Sequence, residues 1–393
     1  MSDEATASPR THSENPVAVV DVPLDVDATG VLDDSDDSDD GDELAGFDGM
    51  TKVLIGDTMS NSIPIVKQHE RVGFLDGLRG AMCVVVIIFH SLSRVIVPSS
   101  HLTSTLGQYV FNGTRAVDVF WAVSGYALAL IDTQERAVIT AVARLPRLML
   151  PVMFLGCVMS TVSIATELKP MTYLHTQKMI LDIFLLEGDG GYNFVHIWTM
   201  SVEFYGSIAL FACHHLFSHT PRPERVAVVI AALTFYARPN YNFFLIGYVM
   251  RHRTHLFEKS TKGSVISAAA AIVFFVTLYA SPIDGRACAP YACALVRYIG
   301  VVSTFVCILA SPRVERVFDN PVGRFVGRYS FELYIAHYPI VKKLQNWSWL
   351  TQFHPSFLVV VALAASFAWA LLIQRHVNNG ALRLSKWLAI RIA

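Results

Sequence analysis

Arg79 and His90 stand eleven residues apart in FLDGLRGAMCVVVIIFH (Phe74 to His90), a stretch otherwise apolar enough for lipid. At 100° per residue this spacing is about three full helical turns, so both side chains share a face about 16 Å apart along the axis. Ionisable groups in hydrocarbon are costly unless they find partners or water. A cation at the mouth and an imidazole at depth suit a ligand that is anionic at one end and reactive at the other. Acyl-CoA has that form: a phosphorylated head, then a long thin arm ending in a thioester. The competing reading has Arg79 snorkelling to lipid phosphate and His90 bonded to a neighbouring carbonyl.

Other polar residues extend the pattern. Arg144 and Arg147 lie three apart on one helix face, and guanidinium forks match phosphate oxygens. Glu203 stands seven residues after His196, so it is expected about 10 Å into its span, level with His90, where it would orient the imidazole or hold an acceptor. Ser124 falls at a similar depth. Ser330, Tyr334 and His337 share a face, and Pro339 is expected to loosen that helix end. Neutral His90 is then the candidate general base for an acceptor hydroxyl. Ser124 and Tyr334 are candidate donors to a developing oxyanion. A covalent acyl-histidine intermediate is equally compatible with these residues. The candidate catalytic set is therefore His90, Glu203, Ser124, Tyr334 and His337, with Arg79, Arg144 and Arg147 for the donor. No metal is expected, because His90, His196 and His337 lie on separate spans and H-E-x-x-H is absent.

These residues need elements to carry them. Of the 393 residues 53% are hydrophobic and 16% charged, against roughly 25% charged in soluble domains. Apolar stretches recur near 80–97, 116–131, 148–165, 197–214, 226–237, 239–250, 264–281, 296–311, 329–344 and 356–373. The expected fold is all-α, a polytopic transmembrane helix bundle of about ten spans. The stretches near 226 and 239 are shorter than the roughly 20 residues of a straight crossing. Residues 1–70, centred on DDSDDSDDGDE (Asp33 to Glu43), read as a disordered acidic cytosolic tail. Residues 71–376 read as the membrane-embedded domain. Residues 377–393, including GALRLSKWLAIRIA, read as a basic amphipathic tail along the inner membrane surface.

Lysine and arginine fall mainly in alternate loops, which orients both termini toward the cytosol in an integral, multi-pass membrane protein. The bilayer, acyl-CoA and a hydroxyl-bearing acceptor are the expected partners, and nucleic acid is not. Two glycosylation sequons, at Asn112 and Asn346, fall on the outer side of this topology. Cys288 and Cys293 share an outer loop where a disulfide could form.

Five segments together resemble the acyltransferase-3 family of integral-membrane acyltransferases. They are LDGLRGAMCVVVIIFH (Leu75 to His90), VDVFWAVSGY (Val117 to Tyr126), the arginines of RLPRLMLP (Arg144 and Arg147), HIWTMSVE (His196 to Glu203) and SFELYIAHYP (Ser330 to Pro339). Two departures stand out. Trp121 replaces a usual phenylalanine, and Phe204 follows Glu203 where many members carry a second glutamate.

The resemblance implies about ten spans and transfer of an acyl group, often acetyl, from cytosolic acyl-CoA to a hydroxyl of a sugar, lipid or small metabolite. It also implies that Arg79, His90, Arg144 and Arg147 matter most. The alternative from another class is a proton-coupled transporter of a small metabolite, in which His90 and Glu203 would relay protons. Neither an inverted repeat nor paired broken spans support that alternative.

Overall fold

A computed structural model of the chain describes residues 72–92, 111–131, 134–165, 195–217, 220–235, 238–257, 262–280, 290–347 and 349–392, together with Lys178, Ile180 and Leu181. The acidic tail expected over 1–70 lies outside the described residues. Every regular element among the described residues is helical. In chain order these are α1 (Gly73–Leu92), α2 (Gly113–Leu128), α3 (Gln134–Ala165), α4 (Trp198–Phe217), α5 (Pro223–Thr234), α6 (Asn242–His252), α7 (Gly263–Ala280) and α8 (Pro290–Leu309). They are followed by α9 (Pro312–Phe318), α10 (Pro321–Arg328), α11 (Ser330–Gln345), α12 (Pro355–Ile373) and α13 (Asn379–Ile392).

The apolar stretches of the sequence fall on ten of these helices. Among the described residues, four runs are long and apolar enough to cross a membrane by length and composition: Gly73–Leu92, Thr140–Val158, Ala292–Leu309 and Pro355–Ser385. The last passes from α12 into α13 through a π turn at Gln374–Asn378, so residues 377–392 continue a helix.

Two clusters hold the bundle together. One joins α1, α3, α11 and α12 around Cys83, Val86, Val152, Leu333 and Ala362. The other joins α1, α2, α6 and α8 around Leu78, Trp121, Phe243 and Phe305, with Trp121 stacked on Phe243. In lipid, where water does not drive helices together, small residues let backbones approach and gain dispersion contacts. Here α2 and α6 cross at Gly125 and Gly247. A Cβ at Gly125 would meet Phe244 O at 2.1 Å, and one at Gly247 would meet Ala122 O at 1.9 Å.

The pair α9 and α10 was not legible as helix in the sequence, because both are short and polar. Pro312 and Pro321 open them, a position that suits proline because its missing N–H has no helical partner there. They press on the start of α1 closely enough that a Cβ at Gly77 would meet Phe318 O at 1.8 Å. The first turns of α1, which carry Arg79, are thereby fixed.

The two sequons differ in setting. Asn112 is buried, and its side chain caps α2 by accepting from Arg115 N, which leaves no room for a glycan. Asn346 is exposed, and Ser348 of its sequon lies outside the described residues. Cys293 is disulfide-bonded, while Cys288 lies outside the described residues.

The α2–α6 crossing yields a test. Gly247→Val should destabilise the detergent-solubilised protein by about 1–3 kcal/mol or more, because the added carbons have only main chain to push against. Thermal unfolding checks this, and an unchanged melting temperature would contradict the close approach.

Candidate active site

Three histidines from three helical segments meet. The His90 ring lies 5.3 Å from that of His337, and His337 lies 5.2 Å from His196. Tyr338 touches both flanking rings, at 5.1 Å from His90 and 5.2 Å from His196. Lys342 places its ammonium over the Tyr338 ring, 5.6 Å from the centroid, and is a charged neighbour of His90.

Backbone chemistry sets the orientation of two of these rings. The ring of His337 donates Nδ1–H to Tyr334 O at 2.5 Å. That of His196 donates Nε2–H to Ile335 O at 3.0 Å. A carbonyl can only accept, so the neutral rings are fixed as tautomers that leave His337 Nε2 and His196 Nδ1 as bare lone pairs. Among the described residues neither of these buried nitrogens has a hydrogen-bond partner.

Pro339 explains why Ile335 O is available. In an α-helix that carbonyl would accept from the N–H four residues later, and proline has none. The helix does not loosen at Pro339, as the sequence suggests, but runs on to Gln345. Its freed carbonyl is taken by His196 instead. Tyr334 completes the frame: its hydroxyl lies 2.9 Å from Thr199 Oγ1, which is 2.8 Å from His196 O. Its ring packs against Phe120. Ser124, one turn beyond Phe120 on α2, is buried and makes no hydrogen bond among the described residues.

A second polar level lies toward the Arg79 end. Glu203 does not stand beside His90. Its carboxylate is 3.2 Å from Arg144 Nη2, and Arg79 is a charged neighbour of Arg144. The reason is a shift of reference. His196 is level with His90 rather than at the outer lip, so seven residues carry Glu203 about 10 Å away from the imidazoles. Arg147, three residues further along α3, neighbours Glu332. The two levels are not joined by an open line along α1. Cys83 and Val86, on the face between Arg79 and His90, are 0% and 1% exposed.

The sequence reading missed a third polar group. Asp118 is fully buried and accepts from Arg297 Nε at 2.9 Å, with a second contact to Arg297 Nη2. Arg115 lies 3.5 Å away and Asn240 braces Arg297. A buried carboxylate between two arginines ties α2 to α8, and removing one partner of such a group is strongly destabilising. Asp118 lies inside VDVFWAVSGY, so it could have been noticed, but Arg297 sits 179 residues away. Lys342, Tyr338, Thr199 and Glu332 were likewise passed over.

Apolar helices enclosing an arginine level and a histidine level define a membrane protein with an internal polar site. The chain belongs to the acyltransferase-3 family, whose acyltransferase domain matches residues 72–375, and it is an integral-membrane acyltransferase. No curated protein and no solved structure matches it significantly. Among the described residues no three His, Cys, Asp or Glu side chains are grouped to hold a metal.

Pro339→Ala tests the link between proline and histidine. It restores a main-chain donor that competes with His196 for Ile335 O. Turnover should fall about tenfold, roughly one hydrogen bond's worth, while the melting temperature holds or rises. Unchanged turnover would mean that the ring orientation does not matter.

Proposed function

We propose that the protein transfers an acyl group, in the first place acetyl, from acyl-CoA to a hydroxyl of a sugar, lipid or small metabolite. The observation that carries this reading is the pair of buried imidazole lone pairs, on His337 and His196, next to His90. A cluster of acceptors lacking a donor suits a substrate that brings an O–H.

Arg144 and Arg147, with Arg79, hold the phosphates of CoA. Guanidinium forks match phosphate geometry, and the lysine and arginine bias of the sequence supports a cytosolic position for that end, for both termini and for about ten spans in all. The acyl arm does not follow the closed face of α1. It reaches His90 from another side of that helix.

Neutral His90 takes the acceptor's proton as the acceptor oxygen attacks the thioester carbonyl. The C–S bond breaks, and the imidazolium returns its proton to the leaving CoA thiolate. His337, in ring contact with His90, holds that imidazole in place, the role the sequence suggested for Glu203. Ser124 and Tyr334 supply donors near the developing oxyanion, Tyr334 through a hydroxyl already held by Thr199. Glu203 keeps Arg144 in place until phosphate arrives.

The test is direct. Purified protein with labelled acetyl-CoA and a panel of hydroxyl acceptors should yield acylated product. His90→Ala should lower turnover by about two to four orders of magnitude, the usual contribution of a positioned base. Wild-type turnover in that variant, with the fold intact, would overturn the assignment. Uptake of a metabolite into vesicles without acyl consumption would favour a transporter.

A further inference from the structure

The family match ends at residue 375, yet buried contacts run from beyond it into the donor-binding helix. Asn378, in the π turn and 4% exposed, donates Nδ2–H to Glu332 Oε1 at 2.7 Å. Ser385, also buried, donates to Ala143 O at 2.9 Å, one residue before Arg144. Around these bonds α13 packs along α3.

The stretch of α3 that receives this support needs it. Pro146 lies between Arg144 and Arg147 and Pro151 follows, so two main-chain hydrogen bonds are missing where the arginines must be aimed. Glu332 is buried, and its Oε2 has no hydrogen-bond partner among the described residues. Arg147 is its cationic neighbour. A π turn widens the helix by one residue per turn and often marks functional sites. Here it is the turn that brings Asn378 to Glu332.

We propose that the π turn and α13 form a clasp on the donor site, in which Asn378 fixes Glu332 and Glu332 orients Arg147 toward the phosphates of CoA. Glu332 and Asn378 are positioning residues, since neither touches the reacting atoms. The inference rests on the reading that Arg147 binds the donor. It adds that part of donor affinity is set by residues outside the matched domain.

The experiment uses full-length protein with acetyl-CoA as the probe. The KM for acetyl-CoA, kcat and melting temperature are measured for wild type, R147A, E332Q and N378A. The Glu332→Gln change keeps an acceptor for Asn378 and the same shape, and removes only the charge. It should raise KM about tenfold with kcat within about twofold, the signature of lost binding shared by ground and transition states. Asn378→Ala should move KM the same way by about threefold to fivefold, less than E332Q, because it loosens Glu332 without removing its charge.

If R147A raises KM while E332Q and N378A leave it unchanged, the clasp falls and the donor site stands. A lower KM in E332Q would overturn the clasp too, since Glu332 would then compete with phosphate. So would a fall in melting temperature and kcat without a KM change, which would mark a purely structural contact. Failure of the wild type to consume acetyl-CoA would remove the functional reading and this inference with it.

Discussion

An arginine drawn into an apolar helix bundle must be answered by an anion or its desolvation destabilises the fold. Glu203 answers Arg144 at 3.2 Å, and this pairing organises the interior. It joins α3 to α4, offsets the repulsion of the nearby Arg79 on Arg144, and leaves the histidines to a separate level. Asp118 plays the corresponding part between α2 and α8, where Arg115 and Arg297 converge on it. The bundle is thus pinned by buried carboxylates, while Gly125, Gly247 and Gly77 allow its helices to close on one another.

In the proposed reaction, separate levels would let one protein bind a highly charged donor and do chemistry on its neutral thioester. The arginine level offers charge. The histidine level offers lone pairs whose direction is set by main-chain carbonyls, one of them released by Pro339. A proline within a helix is usually a cost. Here its missing N–H is what gives His196 a fixed partner, so a helical bond lost from α11 becomes order in the site. Thr199 and Tyr334 brace the same segment from the other side.

Periodicity made much of this legible. The apolar stretches fall on helices, and the spacing of Tyr334 with His337 matches the contact between their rings. What failed was depth across helices. Taking His196 as a helix end put Glu203 level with His90, whereas His196 lies beside His337 and Glu203 beside Arg144. Spacing along one helix is local geometry, but the offset between helices is set by packing, which no single segment encodes. The same limit hid Arg297, whose partner Asp118 is 179 residues away, and Glu332, whose partner Asn378 follows a π turn. The packed line of Cys83 and Val86 was also out of reach, since periodicity gives a face and not what fills it.

Transport would use the same buried groups, but membership of an acyltransferase family and the division into an arginine and a histidine level favour group transfer. The central claim is that holding the donor and moving the acyl group belong to different levels. Equilibrium binding of CoA to purified His90→Ala and Arg147→Ala proteins tests it most directly. The account predicts wild-type affinity in the first and about tenfold or weaker binding in the second, as expected for loss of a charge-assisted phosphate contact. Equal loss in both, or loss in the histidine variant alone, would contradict it.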